Sequence, residues 1–234
     1  LCIRDIITVM KIRLDHLLVR NGLTESRSQA ENYIRLGKVI VNGIKQTKPG
    51  FFVDEDSKIE ILQNSQYVSR AGLKLESVAK ILKLDFRDKI VLDVGSSTGG
   101  FTDYALQNGA QKVIAVDVGT NQLHPKLRLN SKIELHEKTD IRNFKTKDSI
   151  DIVVIDVSFI SLRDILPSVV KLVSKNTQIV AMVKPQFEAG RHNTIRGVVK
   201  NNSLRRKIMQ DFEKCCKINN LFVVNKRDSE IKGA

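Results

Sequence analysis

The chain has 234 residues, of which 41% are hydrophobic and 28% are charged. This length suits one large domain, or a small domain followed by a medium one, and the composition excludes global disorder. The formal net charge of +13 favours a polyanionic partner. No apolar run approaches the roughly 20 residues that span a bilayer, so a transmembrane helix and a membrane partner are not expected.

The first segment, LCIRDIITVM, carries Arg4 and Asp5 among apolar residues and is too short for a signal peptide. We expect it to be an upstream extension, with the ordered pattern starting at Met10. The cysteines, Cys2, Cys215 and Cys216, have no C-x-x-C spacing, so neither a disulfide framework nor a metal site is predicted. Idle thiols in a reducing cytoplasm are the simpler interpretation.

Residues 10–62 are predicted to form a small α+β domain. RLDHLLVRNG has leucines at helical spacing, and a second helix is predicted from an N-cap at Thr24 to a terminal Gly37. Asn42-Gly43 between alternating residues predicts a β-hairpin, and FFVDEDSKIEIL predicts one further strand. The expected result is two short helices that lead into a small curled sheet.

Residues 63–66 are predicted to be a linker, and residues 67–234 a second domain. This domain opens with the amphipathic helix YVSRAGLKLESVAKILKL. Alternating strands and helices with unbroken apolar strands then predict a doubly wound α/β fold with a parallel sheet. The strands are expected at Lys89–Val94, Lys112–Asp117, Ile133–His136, Ile150–Asp156, Gln178–Val183 and Leu221–Asn225, with a helix over Ser203–Asn219 before the last strand.

Charge is shared unevenly between the two parts. Residues 1–65 carry 10 basic and 8 acidic groups, a net of +2, whereas residues 66–234 carry 29 and 18, a net of +11. In the small domain several basic residues accompany helices with defined apolar faces, so they should gather on the surface. They could contact phosphates or form only a solvated basic face. These candidates are Arg13, Arg20, Arg27, Arg35 and Lys38.

The segment KIVLDVGSSTGGFTDY fits two kinds of chemistry. Its G-x-S-x-G pattern matches the elbow that presents a nucleophilic serine, here Ser97. A serine hydrolase needs a histidine after the last strands, and only His192, in a loop rich in Gly and Asn, is so placed. The same segment also resembles a strand-to-helix loop that holds a nucleotide-like ligand, and this alternative has more support.

Polar residues follow three successive predicted strands, and the carboxyl ends of parallel strands share one edge. Asp117 could take both hydroxyls of a ribose, and Asp140 could contact an adenine amino group. Asp93 would repel a pyrophosphate but attract a cation, so a ribose-bearing cation, S-adenosylmethionine, fits this edge. The residues predicted to hold it are Asp93, Gly95, Ser96, Ser97, Thr98, Gly99, Gly100, Asp117 and Asp140.

Two further strands end in groups that could perform chemistry. IDIVVIDVSFISL ends its apolar run at Asp156, and IVAMVKPQFE reaches Lys184. Both should lie on the ligand edge, where they could form either a plain ion pair or part of an active site. Lys74, on the polar side of its helix, would be plain surface in isolation, and no role is assigned to Glu188.

These segments together resemble a known family over nearly the whole chain. RLDHLLV, SRSQAENYIRLGKVIVNG, YVSRAGLKL, LDVGSSTGGFTD, DVSFISL and VKPQFE are similar to the TlyA or hemolysin A family. That family joins an S4-like RNA-binding domain to an FtsJ-like methyltransferase domain with a Rossmann-like sheet. The resemblance implies a ribosomal RNA 2′-O-methyltransferase that uses S-adenosylmethionine, with ribosomal subunits as partners in the cytoplasm.

The resemblance also implies a Lys-Asp-Lys-Glu catalytic set, whose first three members fall on Lys74, Asp156 and Lys184. Lys184 would act on the 2′-hydroxyl, Asp156 would hold that lysine, and Lys74 would add positive charge that favours the developing alkoxide. The strand that carries the glutamate lies beyond Ala234 in relatives, so the sheet is expected to lack an edge strand.

Two other functions are compatible with parts of the sequence. Without the glutamate, the chain could bind ribosomal RNA and be catalytically impaired. The older family name suggests a membrane-lytic protein, which would need a long apolar or strongly amphipathic exposed segment, whereas the apolar stripes here fit a core.

Overall fold

A computed structural model describes residues 11–24, 26–62, 66–189, 199 and 201–229. The chain divides into two compact units, Leu1–Arg70 and Ala71–Ala234. Within the described ranges, no helix has the length and apolar character needed to cross a bilayer. The predicted start at Met10, most of the predicted linker, Cys2 and His192 lie outside the described residues.

The described residues of the first unit form two helices and five short strands. The strands form two antiparallel sheets, a pair β1-β4 and a three-stranded sheet in the order β3-β2-β5. The elements are β1 (Lys11–Arg13), α1 (Leu14–Arg20), α2 (Arg27–Arg35), β2 (Val39–Val41), β3 (Ile44–Gln46), β4 (Phe52–Asp54) and β5 (Ile59–Ile61).

Local sequence signals explain most of this unit. Asn42 and Gly43 have φ values of 49° and 78°, as a hairpin turn between β2 and β3 requires. The N-cap of α2 is Ser26, whose side chain accepts a hydrogen bond from the Gln29 amide, so the prediction of Thr24 was wrong by two residues. FFVDEDSKIEIL forms two strands rather than one, because the chain turns after Asp54 and β5 pairs with a different sheet.

A buried carboxylate lies in the core of the first unit. The Asp15 residue is 0% exposed, although it sits among the leucines of α1. The Arg13 guanidinium donates two hydrogen bonds to it, at 3.0 and 2.7 Å, and Arg27 Nε donates a third at 3.0 Å. The hydrogen bonds from Arg13 outweigh the effect of burial and lower the pKa of Asp15 to about 2. Asp15 therefore ties β1 to the start of α2.

The second unit is a three-layer α/β structure. Its five strands are all parallel, in the order β10-β9-β6-β7-β8, so the order reverses direction between β6 and β9. The elements are α3 (Arg70–Ala79), β6 (Ile90–Val94), α4 (Gly100–Gln107), β7 (Lys112–Val116), α5 (Pro125–Arg128), β8 (Ile133–His136), β9 (Ile150–Ile155), α6 (Leu162–Val170), β10 (Val173–Ala181), α7 (Pro185–Glu188) and α8 (Asn202–Ile218).

The central strands are buried on both faces. Val91 and Leu92 of β6, Ile114 of β7 and Val153 of β9 are all 0% exposed. This burial accounts for the unbroken apolar runs in the sequence, because helices cover each face of a parallel sheet. The doubly wound fold predicted from the sequence is confirmed.

One predicted strand is wrong. Leu221–Asn225 follows α8 but forms no strand, and Phe222 and Val224 are 85% and 95% exposed. A β-strand needs a hydrogen-bonded neighbour, and among the described residues this segment pairs with none. Its apolar composition alone is therefore not sufficient to make it a strand.

Asp15→Ala should weaken the first unit by about 2 to 4 kcal/mol at neutral pH, because two charge-assisted contacts are lost. Since the pKa of this carboxyl falls from 3.8 to about 2 on folding, its contribution is complete above about pH 4 and is lost as the pH falls toward 2. Hydrogen exchange of the α1 and α2 amides measures the change. Asp56→Ala, at an exposed position of the same unit, is the control, and equal exchange in the two variants would contradict the prediction.

Candidate active site

The register of the sheet places the carboxyl ends of β6, β7 and β9 side by side. Val94 of β6 pairs with Val116 of β7 on one side and with Ile155 of β9 on the other. The residues that come next along the chain, Asp117 and Asp156 among them, therefore lie at the same carboxyl edge. This edge includes the reversal of strand order between β6 and β9, which is where open α/β sheets bind ligands.

Two glycines shape the loop after β6 through contacts within the protein. Gly95 has φ 81°, and a Cβ there would lie 3.1 Å from the Asp156 carbonyl oxygen and 3.2 Å from Val157 Cα. Gly99 has φ 91°, and a Cβ there would lie 2.4 Å from a methyl carbon of Leu127. These close approaches are between parts of the chain, and they leave the loop backbone tightly placed.

The other loop residues play different parts. Ser96 is buried, whereas Ser97 is exposed and has φ 46°, a left-handed conformation that is uncommon for serine. The Thr98 carbonyl accepts a hydrogen bond of 3.2 Å from the His124 amide, which joins the loop to the start of α5. Gly100 is the first residue of α4 and is buried.

Asp117 is fixed by the loop that it faces. One of its oxygens accepts from the Ser97 amide at 2.9 Å, and the other accepts from the Gly119 amide at 2.7 Å. These bonds orient the carboxylate and leave lone pairs on both oxygens. Asp140, beyond β8, is held by the guanidinium of Arg142, whose side-chain hydrogen bonds lower the pKa of the aspartate.

Asp93 is the most perturbed acid at this edge. It is 1% exposed, and one of its oxygens accepts a hydrogen bond of 2.6 Å from the Thr102 hydroxyl. Burial, together with the nearby charges of Asp156 and Asp117, raises the pKa of Asp93 to about 7. Where β6, β7 and β9 end, the charges of Asp117 and Asp156 therefore repel a charge on Asp93.

Several buried polar atoms at this edge make no hydrogen bond. Among the described residues five buried side-chain atoms lack such a partner, and three of them, Asp93 Oδ1, Ser96 Oγ and Asp156 Oδ1, belong to this edge, whereas the other two are in Thr24 and Ser69. Asp156 Oδ1 makes no hydrogen bond but has an ion-pair contact with Lys184 Nζ. Native structures rarely leave such atoms unsatisfied unless a ligand or water completes them. A positively charged polar ligand would satisfy these atoms and relieve the repulsion, so the residues fit the sulfonium and amino groups of S-adenosylmethionine.

Lys184 meets Asp156 beside these atoms. Its Nζ lies 2.7 Å from Asp156 Oδ1 as an ion pair, and it donates a hydrogen bond of 2.9 Å to Ser158 Oγ. The side chains of Lys184 and Asp156 are only 18% and 14% exposed. The predicted neighbourhood of these two residues is therefore present, and Ser158 is an additional partner.

Two other residues bear on this chemistry, Lys74 by prediction and Phe159 by its position next to Ser158 in the sequence. Lys74, the third predicted catalytic residue, is half-buried on α3. Phe159 follows Ser158, is 93% exposed and has φ 67°, an outlier for a bulky residue. Its ring packs on that of Phe187 with 5.4 Å between centroids, so an aromatic surface borders Lys184.

The five basic residues predicted to bind RNA all lie on the first unit, and each has a partner there. Arg13 and Arg27 share Asp15, and Arg27 and Arg35 lie 3.5 and 3.8 Å from Glu31. Arg20 pairs with Glu55, and Lys38 Nζ lies 4.4 Å from the centre of the Tyr33 ring. Arg13, Arg20, Arg27 and Arg35 keep 37 to 59% of their side chains exposed, so their guanidinium groups remain available to phosphate.

Several residues that support this site have no signal in the sequence. Thr102 holds Asp93, and the buried carboxylate of Glu188 binds Ser161 and Arg163 at the start of α6. In each of these contacts the two residues are separated along the chain and lie in different parts of the fold. Periodicity could not reveal them, although Ser158 stands two residues after a strand-end acid, where site residues are expected.

Comparison with known proteins agrees with this architecture. The profile of the FtsJ-like methyltransferase family matches residues 67–234, and that of the S4 domain matches residues 12–59. The chain is 41% identical over 228 residues to Hemolysin A of Brachyspira hyodysenteriae, covering 95% of each chain. It is 38% identical over 238 residues to the 23S rRNA (cytidine-2′-O)-methyltransferase TlyA of Campylobacter jejuni, covering 92% of each.

A solved structure agrees as well. A protein of Streptococcus thermophilus that carries a hemolysin name superposes with a TM-score of 0.74 at 39% identity, covering 97% of this chain and 85% of that one. The family profile covers well over half of the chain, and the relatives align along nearly their whole lengths. The chain is a member of the FtsJ-like methyltransferase family and carries an S4 domain before its methyltransferase domain.

Proposed function

We propose that this protein methylates the 2′-hydroxyl of a ribose in ribosomal RNA, with S-adenosylmethionine as the methyl donor. The observation that carries the proposal is the contact of Lys184 Nζ with Asp156 and Ser158, at 2.7 and 2.9 Å, beside unsatisfied buried oxygens. Relatives named as rRNA 2′-O-methyltransferases support the choice of substrate.

S-adenosylmethionine, when bound, supplies a methyl group on a positively charged sulfur. Asp93 and Ser96, on either side of the Gly95 turn, would hold its charged end, because Asp93 Oδ1 and Ser96 Oγ are buried and make no hydrogen bond among the described residues. Asp117 would accept hydrogen bonds from ribose hydroxyls, and Asp140 from an adenine amino group. The carboxylates at this edge also exclude phosphate groups, which distinguishes the site from one for a dinucleotide.

Lys184 would act on the attacking hydroxyl of the RNA. An uncharged hydroxyl is a weak nucleophile, so the reaction needs the oxygen to be aligned and its proton to be drawn away. Asp156 and Ser158 hold Nζ of Lys184 in one place, where its positive charge would stabilise the oxyanion that develops as the hydroxyl proton passes to water. Lys74 would add a second positive charge to this group.

The S4 domain would hold the RNA by its phosphates. Arg13 and Arg27 are oriented by Asp15, so less freedom is lost when their guanidinium groups bind an anion. Tyr33 restrains Lys38 in the same way. Contacts of this kind set the position of the RNA and carry no sequence information, so the choice of nucleotide would depend on the methyltransferase domain. With ribosomal subunits as its partners, the protein would act in the cytoplasm.

Lys184→Ala should abolish methyl transfer to ribosomal subunits and leave the affinity for S-adenosylmethionine nearly unchanged, because Nζ would act on the RNA hydroxyl. Transfer of a tritiated methyl group and calorimetry measure the two effects. Lys175→Ala, which removes an exposed lysine from the other end of β10, is the matched control. Loss of cofactor affinity would instead assign Lys184 to cofactor binding, and RNA binding without transfer by the unaltered protein would indicate a binding protein.

Asp93→Asn should make stability less dependent on pH. Since the pKa of Asp93 rises from 3.8 to about 7 on folding, the folded state retains a proton that the unfolded state loses, and the unaltered chain loses stability as the pH rises through this interval. The asparagine variant lacks this contribution. Urea unfolding at pH 5 and pH 8 measures it, and parallel profiles for the two proteins would contradict the assignment. At pH 8, S-adenosylmethionine should stabilise the unaltered chain more than the variant.

RNA affinity should fall steeply with added salt, because each phosphate contact releases counterions. Arg35→Gln should lower the slope of log K against log salt concentration by about 0.7 to 0.9, which corresponds to one contact. Lys58→Gln removes an equal charge from the turn before β5 and should leave the slope unchanged. Filter binding of ribosomal RNA over a range of salt concentrations measures these slopes, and a complex that is insensitive to salt would refute phosphate contact.

A further inference from the structure

Glu188 is a buried carboxylate for which the reaction described above has no use. It ends the short helix α7, four residues after Lys184, and only 2% of its side chain is exposed. Glutamate is almost never fully buried unless it is paired. The groups that hydrogen-bond to the Glu188 carboxylate therefore indicate which part of the structure it stabilises.

Among the described residues, the hydrogen bonds to this carboxylate come from the start of α6. Glu188 Oε1 accepts from the Leu162 amide at 2.7 Å, and Oε2 accepts from the Ser161 hydroxyl at 2.5 Å and from Arg163 Nε at 3.1 Å. Arg163 Nη2 also donates to the Glu188 carbonyl at 2.7 Å. The first turn of a helix favours a negative charge, which adds to these bonds.

The two segments that Glu188 joins are those that carry the reacting pair. Ser161 lies five residues after Asp156 on the connection from β9 to α6, and Glu188 lies four residues after Lys184. The bonds of Glu188 close a ring whose other side is the contact of Lys184 with Asp156 and Ser158. Between these two points, the rings of Phe159 and Phe187 pack against each other.

The backbone inside this ring is strained. Phe159 has φ 67°, which costs energy for a bulky residue and persists only when the surroundings impose it. Its side chain is 93% exposed, so burial of the ring does not impose it. The Glu188 bonds to Ser161 and Leu162 hold the chain just after Phe159 and tie this turn to α7.

We propose that Glu188 is a positioning residue, whose carboxylate fastens the β10–α7 turn to the start of α6 and thereby holds Lys184 Nζ against Asp156 and Ser158. The contact between Glu188 and the start of α6 is a property of the fold. Only its effect on catalysis rests on the proposed function. A displacement of about 1 Å at a reacting group can cost about 10²-fold in rate, so the effect should appear in turnover.

Glu188→Gln keeps the shape of the side chain but puts an amide group against donors that need a carboxylate. We expect kcat for methyl transfer to fall about 10²-fold, with KM for RNA and Kd for S-adenosylmethionine within about twofold of the unaltered values. A general structural defect would alter all three parameters and the melting temperature. Ser161→Ala, which removes one of the bonds, should lower kcat in the same direction by less. Asp164→Asn removes an exposed carboxylate from the same turn of α6 and is the control.

Hydrogen exchange supplies a readout that needs no activity. Glu188→Gln and Ser161→Ala should both increase exchange over residues 156–162 and 184–189, and Asp164→Asn should not. Faster exchange with an unchanged kcat would overturn the positioning role, as would unchanged exchange in both variants. If the unaltered protein transfers no methyl group, the proposed function fails, and exchange still decides whether Glu188 fastens the two turns. If Glu188→Gln does not fold, Ser161→Ala carries the same test.

Discussion

The mutual repulsion of acids at one edge of the parallel sheet is the constraint on which the site depends. The register of β6, β7 and β9 brings Asp93, Asp117 and Asp156 to that edge, inside a chain whose net charge is +13. Burial and the two neighbouring charges keep Asp93 protonated up to about pH 7. Such an arrangement is costly without a positive partner, and Lys184 supplies one for Asp156. Asp93 Oδ1 makes no hydrogen bond among the described residues, so a cationic ligand at this edge would be stabilised.

The two domains use charge in opposite ways. In the S4 domain a buried acid, Asp15, is surrounded by arginines and its pKa is lowered, so the carboxylate is permanent and orients cations toward solvent. In the methyltransferase domain a buried acid, Asp93, has a raised pKa and lacks a full set of partners. The first arrangement is complete and suits a docking surface, whereas the second is incomplete and suits a ligand site.

The sequence could predict the strand ends because a doubly buried parallel strand is a continuous apolar run, and the residue after it is fixed by the register. Asp117 and Asp156 were located in this way, and so was Lys184, three residues beyond the end of β10. The sequence could not show that Asp15 and Glu188 are buried, because both look like ordinary charged residues of helices. Their partners, Arg27 and Ser161, are 12 and 27 residues away along the chain. The predicted strand at 221–225 failed for a related reason, since pairing depends on a neighbour and not on composition.

Gly95 shows how the close contact between strand ends limits which amino acids can occupy a position during evolution. Its backbone lies against that of Asp156 and Val157 with φ 81°, so even a methyl group would press on main-chain atoms of both residues as well as on the Val157 side chain. Every single-base change of a glycine codon that replaces the amino acid adds at least that methyl group. Single-base replacements of Gly95 are therefore unfavourable. Related proteins that keep the two strands in contact should retain glycine at this position.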